Sequence, residues 1–191
     1  MQTIEVKLYE ISELPEEART KAIDYLRERG YFDVEADEIE ERFKEKLKEY
    51  GLPTDDIQFS LSWSQGDGVA FYGNIDLHQL ITETGMESEY TSLINYYELS
   101  ATITRNSFGT HYSHWNTMDV YMERGREYVT TLSQEQGKEL WDHIKDTVVK
   151  VSKELEREGY EMIEANQKEE YVVECAEANE MLFREDGRLW S

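Results

Sequence analysis

Basic residues are too few in this sequence to balance its acids: 20 Lys and Arg stand against 42 Asp and Glu in 191 residues, a formal net charge of −22. A phosphate backbone repels such a chain, so direct nucleic-acid binding is not expected. Cysteine is nearly absent. Cys175 alone rules out an internal disulfide and fits a reducing compartment. Its neighbours Val172, Val173 and Ala176 mark it as a buried helical thiol. Two Pro and 11 Gly leave little material for a flexible linker, which predicts one domain over residues 1–191. No apolar run approaches the roughly 18 residues of a membrane-spanning helix. Residues 1–7 lack the basic and apolar regions of a signal peptide, so a protein of the cell interior is expected.

What the chain does have is aromatic mass. Thirteen Tyr, six Phe and four Trp argue against disorder, because disordered chains are poor in aromatics. Residues 3–9 alternate apolar and polar, with Ile4, Val6 and Leu8 on one face, and read as a strand. A helix opens across residues 12–17, carries Ala18, Ala22, Tyr25 and Leu26 on its apolar stripe, and ends at Gly30. A second helix over residues 34–50 places Ile39, Phe43, Leu47 and Tyr50 on one face, and Gly51 and Pro53 stop it.

From Ile57 the period falls to two. Ile57, Phe59, Leu61 and Trp63 alternate with polar residues, the run meets Asp67-Gly68, and residues 69–75 return as the second half of a hairpin. Residues 77–97 read as one or two helices interrupted near Gly85. A second hairpin follows, with Leu99, Ala101 and Ile103 on one strand, a turn over residues 106–110 and a return over residues 111–122. The clearest helix spans residues 133–158, with Leu140, Ile144, Val148, Val151 and Leu155 at helical spacing, and Gly159 is expected to end it. A last helix covers residues 167–179, and a small strand or hairpin closes the chain. These elements predict an α+β fold: an antiparallel sheet built from two hairpins plus the N-terminal strand, covered by amphipathic helices.

Several segments in this order resemble a family of phage and prophage accessory proteins, loosely labelled antitoxin-like. They are Leu8-Tyr9-Glu10-Ile11-Ser12-Glu13-Leu14, Ile57-Gln58-Phe59-Ser60 with Trp63-Ser64-Gln65-Gly66-Asp67-Gly68, Ala101-Thr102-Ile103 with His111-Tyr112-Ser113-His114, and Ala178-Asn179 with Phe183-Arg184-Glu185-Asp186-Gly187. The resemblance spans nearly the whole chain. It implies an accessory protein working in the cytoplasm of a bacterial host, and it supplies no catalytic residues.

Two sets of residues are candidates for function. The first is acidic. Asp37, Glu38, Glu41, Glu45 and Glu49 lie on the second helix, and Glu154, Glu158 and Glu161 cluster at the end of the long one. Carboxylates at i and i+4 stand about 6 Å apart, close to the spacing of successive phosphates, so these faces could occupy the nucleic-acid groove of a basic toxin, nuclease or other defence component. Against this, Arg42, Lys44, Lys46 and Lys48 interleave with the acids and could make the face a solvated, ion-paired surface. The second set is aromatic and polar: Trp63, Gln65, Asp67 and Tyr72 on the first hairpin, with His111, Tyr112, His114 and Trp115 on the second, as a site for a small ligand such as a nucleotide signal. His111 and His114 point to opposite faces of a regular strand, so no metal is expected, and no cofactor. No nucleophile elbow is present, and Cys175 has no neighbouring His. The expected activity is binding, not catalysis.

Overall fold

The described residues of the computed structural model are 5–106, 112–125 and 134–190. The expected α+β class is what they form. A 3₁₀ turn, Ile11–Glu13, leads through Pro15 into α1, Glu16–Glu28, whose first turn carries Glu16 and Glu17 at the positive end of the helix dipole. The chain continues with α2 (Ala36–Glu49), β1 (Asp56–Ser60), β2 (Gly68–Ile75), α3 (Leu77–Glu83), α4 (Glu87–Tyr97), β3 (Leu99–Arg105) and β4 (Met118–Arg124). It ends with α5 (Gln134–Asn166) and α6 (Glu169–Ala178).

These residues group into two compact units, one of residues 1–35 and 161–191, the other of residues 36–160. In the first unit, α1 and α6 bury a small apolar cluster that includes Ile11, Ala22, Leu26, Val172, Ala176 and Phe183. The N-terminal segment does not join the sheet. Among its described residues only Tyr9 makes a bridge, to Phe183, and Phe183 in turn bridges Leu189. The alternation of residues 3–9 therefore seats Tyr9 against the closing segment of the chain. Cys175 lies in α6 as expected but is half-buried rather than buried.

The second unit holds the sheet, an antiparallel meander in the order β1-β2-β3-β4. Pairing is staggered along β2. Residues 68–72 pair with β1 (Gly68 opposite Ser60), while Gly73, Asn74 and Ile75 pair with Ile103, Thr102 and Ala101 of β3. The first half of β2 is buried on both faces, with Val69, Ala70 and Phe71 fully inaccessible. Where β3 no longer flanks it, the Phe71 N–H donates to Met118 Sδ at 3.3 Å. A buried N–H without any acceptor would be costly.

Two helices are fixed against this sheet by specific contacts. Phe43 of α2 meets Phe59 edge-on at 5.3 Å between centroids. On α5, Ser152 Oγ donates to Val69 O at 2.5 Å and Trp141 Nε1 to Val120 O at 3.1 Å. Leu140, Ile144, Val148, Val151 and Leu155 form the inward stripe of α5, none more than 2% exposed. Burying side chains of this size stabilises by about 1.5–3 kcal/mol each. Residues 77–97 divide into α3 and α4 at Gly85, as the sequence suggested.

The long helix does not stop at Gly159; it continues to Asn166. This glycine serves close packing rather than termination. A Cβ placed on it would lie 2.5 Å from Leu61 Cδ1 and 3.0 Å from Phe43 Cζ. Ordinarily, replacing a mid-helix glycine gains up to about 1 kcal/mol. Here, Gly159→Val is expected to lower the unfolding free energy by about 2 kcal/mol through overpacking, as measured by urea denaturation followed by circular dichroism.

Candidate functional site

The loop joining β1 to β2 is built around one carboxylate. The strand expected to reach Trp63 ends at Ser60, because the chain turns inward to serve Asp67. Only 6% of Asp67 is exposed. Its Oδ1 accepts from the hydroxyls of Ser60 at 2.8 Å, Ser62 at 3.0 Å and Ser64 at 3.0 Å. Its Oδ2 accepts from the backbone N–H of Ser62 at 2.7 Å and of Ser64 at 2.9 Å, and from the Tyr160 hydroxyl at 2.6 Å. Burial by itself would raise the Asp67 pKa. The hydrogen bonds from Tyr160, Ser64, Ser60 and Ser62 outweigh it and hold the carboxyl far below the ordinary aspartate value of 3.8. On Tyr160, burial and then the bond to Asp67 push the phenol up to about 12.

Asp67 was expected to offer its carboxylate to a ligand; it is instead the internal brace of the loop. Ser62 and Ser64 face it, and Trp63 between them is thrown outward at φ 58° and left 65% exposed. One face of its indole lies on Tyr160, with centroids 4.1 Å apart and planes tilted by 31°. The triple Ser-x-Ser-x-Ser spacing before Asp67 is a legible signal for such a turn, since hydroxyl and carboxylate side chains compete with ladder pairing. The contribution of Tyr160, 93 residues away, had no local signal.

Of the other expected ligand residues, three come together. Gln65, Tyr112 and His114 line a cleft of about 450 Å³ with Gly66 and Asn116. Gly66, at φ 107°, is where the Tyr112 ring passes; a Cβ there would collide with the ring. His114 is not on a strand. It caps the 3₁₀ turn Trp115–Thr117, its ring accepting from the Asn116 N–H at 3.3 Å, and β4 begins only at Met118. Tyr72 is not free to stack on a ligand: it is 9% exposed, its hydroxyl meets Thr117 Oγ1 at 3.4 Å, and the Arg105 guanidinium lies 5.0 Å from its ring. Trp115 sits under Lys153 Nζ at 4.6 Å. His111 lies outside the described residues.

The acidic residues divide as well. Asp37, Glu38, Glu41, Glu45 and Glu49 are all exposed on α2. Glu41 pairs with Lys44 at 2.7 Å and Glu45 with Arg42 at 3.2 Å, while Asp37, Glu38 and Glu49 have no ion pair among the described residues. Glu154 and Glu158 are not part of an open acidic face. Both are half-buried, where they hold Lys46 at 3.1 and 2.5 Å, and Glu158 also meets Arg42 at 3.5 Å. Lys46 points inward from α2, so these carboxylates are consumed in joining α2 to α5. Glu161 is exposed.

A catalytic group would need activation. His143 Nε2 stands 2.8 Å from Thr84 Oγ1, a separation suited to a base and a nucleophile. Yet Thr84 Oγ1 donates its own proton to Leu80 O at 2.7 Å. It must therefore accept from the imidazole, and the pair ties the end of α3 to α5 instead of activating an oxygen. Among the described residues, no group of three or more His, Cys, Asp or Glu side chains could hold a metal ion.

Residues 36–170 match the family model described as Domain of unknown function (DUF8835). No curated protein and no solved structure matches the chain.

The brace yields a signed expectation. Because folding lowers the Asp67 pKa, the unfolded chain binds more protons once the pH falls below about 4; the brace's contribution is complete above that point and lost below it. Asp67→Asn should cost on the order of 3 kcal/mol at neutral pH, since an amide cannot receive all the donors. The gap between Asp67→Asn and wild type should narrow on acidification in denaturation curves taken from pH 7 to pH 2.

Proposed function

The chain belongs to the DUF8835 family, a domain of unknown function, and on that premise we propose that it is a non-enzymatic binding protein that captures a basic protein through exposed carboxylates. The observation that carries this reading is the unpaired acid of α2. A formal charge of −22 sets a long-range field that draws cationic surfaces and raises association rates. Asp37, Glu38 and Glu49, free of ion pairs among the described residues, give that field a fixed place, with Glu41 and Glu45 beside them. Glu154 and Glu158 drop out of the surface, since Lys46 pairs with both, Arg42 with Glu158 and Lys150 with Glu154.

Carboxylates four residues apart on a helix stand about 6 Å from one another, which suits a groove that ordinarily holds phosphates. The resemblance to phage and prophage accessory proteins supplies the setting: a toxin, nuclease or other defence component in the cytoplasm of a bacterial host, inhibited by a stand-in for its nucleic acid. A second reading, a small-ligand module, is favoured by the convergence of Gln65, Tyr112 and His114 on one cleft; its volume falls within the range of ligand sites.

The two readings part on salt. Raising the salt from about 0.01 M to about 1 M shortens the screening length from about 30 Å to about 3 Å. A basic protein captured from bacterial lysate at low salt should be released at high salt. Glu38→Lys, Glu41→Lys and Glu45→Lys together should abolish its capture while leaving the thermal unfolding midpoint within a few degrees. Capture that survives high salt and charge reversal would remove the carboxylate reading. A metabolite co-purifying in its place would establish the ligand reading.

A further inference from the structure

Three of the four tryptophans already carry a cation of this chain. Lys145 Nζ lies 4.4 Å from the Trp141 ring centroid, Lys153 Nζ lies 4.6 Å from that of Trp115, and the Arg184 guanidinium 5.2 Å from that of Trp190. Indole faces attract cations through the ring quadrupole more strongly than any other side chain. Trp63 is the exception. Among the described residues no Lys or Arg lies over it, yet it is the most exposed large hydrophobic side chain, at 65%. Its inner face is spent on Tyr160 at 4.1 Å, so its outer face meets solvent.

The surroundings favour a positive occupant. Glu156 precedes Tyr160 by four residues on α5, and residues at this spacing share a helix face about 6 Å apart, so a carboxylate neighbours Tyr160 of the stacked pair. Lys153, on the same helix, is engaged by Trp115. The loop is also held in advance: six hydrogen bonds converge on Asp67 beneath it, so little side-chain or loop freedom remains to be lost on binding.

We infer that the outer face of Trp63 receives an arginine side chain from the basic partner, the guanidinium lying flat on the indole with Glu156 beside it. A guanidinium suits the place because it is planar, weakly hydrated and stacks on aromatic rings, whereas an ammonium is compact and strongly hydrated. This rests on the reading of a basic partner and names the contact that would give it specificity, since tryptophan and arginine are the residues that dominate interface energetics.

The test uses the full chain, a short glycine-arginine peptide and the same peptide with citrulline, which keeps the shape and removes the charge. Binding is followed at low salt by the indole N–H resonances of the four tryptophans. The arginine peptide should move the Trp63 resonance ahead of those of Trp115, Trp141 and Trp190, and the citrulline peptide should leave all four in place. Trp63→Ala should weaken arginine-peptide binding about three- to fivefold, the effect of one exposed cation–π contact; Trp63→Phe, which keeps a ring, should retain most of the affinity. If the arginine peptide binds Trp63→Ala as tightly as wild type, the Trp63 site is wrong and the acidic-surface reading stands. If wild type does not bind the peptide at all, the acidic-surface reading falls, and this inference with it.

Discussion

A carboxylate taken out of water costs several kcal/mol unless donors replace the solvent it leaves, and at Asp67 the replacement reorganises everything nearby. Three serine hydroxyls, two backbone amides and one phenol converge on its two oxygens. To deliver them, β1 stops at Ser60, Ser62 and Ser64 turn inward, and Trp63 has no direction left but outward. The phenol comes from α5, so the same carboxylate pins the long helix to the β1–β2 loop. Below that pin the helix passes close enough to α2 and Leu61 that position 159 must be glycine. Loop, strand end and helix packing thus depend on a single buried charge.

The charge balance of the chain is spatial as well as numerical. On α2 three of the four basic residues are committed locally or inward: Lys44 to Glu40 and Glu41, Arg42 to Glu45 and Glu158, and Lys46 to Glu154 and Glu158, while Lys48 is exposed. The exposed pairs among these, Lys44 with Glu41 and Arg42 with Glu45, contribute little to stability individually, typically below about 1 kcal/mol. Their larger effect is on the field, because they leave the ends of the helix, at Asp37, Glu38 and Glu49, as the uncompensated anionic positions. A sequence count treats all these acids alike; the fold sorts them into bridging and displayed.

The helices were readable because their apolar residues recur at three and four, a signal that each segment carries within itself. That signal extended to the interruption between α3 and α4 at Gly85, and the strands of the sheet carried their own two-residue alternation. Misreadings arose where distant residues decide. Trp63 continues the two-residue alternation of Ile57 and Phe59, a pattern that masks the Ser-x-Ser-x-Ser signal that Asp67 ends the strand first. Gly159 follows a rule for helix ends that its neighbours Leu61 and Phe43 override. Residues 3–9 alternate like a strand, but among the described ones only Tyr9 bridges the closing segment, to Phe183, 174 positions away. Glu158 resembles any other surface acid until Lys46 is placed against it. In the candidate site, Gln65, Tyr112 and His114 were identifiable as polar or aromatic residues beside turns, whereas Glu156 looked like an ordinary member of a long amphipathic helix and Tyr160 lay just past its expected end.

A non-glycine residue in the left-handed region costs roughly 1–2 kcal/mol, and Trp63, at φ 58°, bears that cost. Stacking of its indole on Tyr160 returns about 0.5–1.5 kcal/mol. The two nearly cancel for tryptophan, while any other non-glycine side chain keeps the strain and an aliphatic or polar one loses the stack. The cost of an exchange here is confined to that stack, about 0.5–1.5 kcal/mol, so the residue can be changed to suit a new surface without disturbing the hydrogen bonds beneath it. The buried brace beneath it has no such freedom, which leaves this loop with a fixed frame and an adjustable tip.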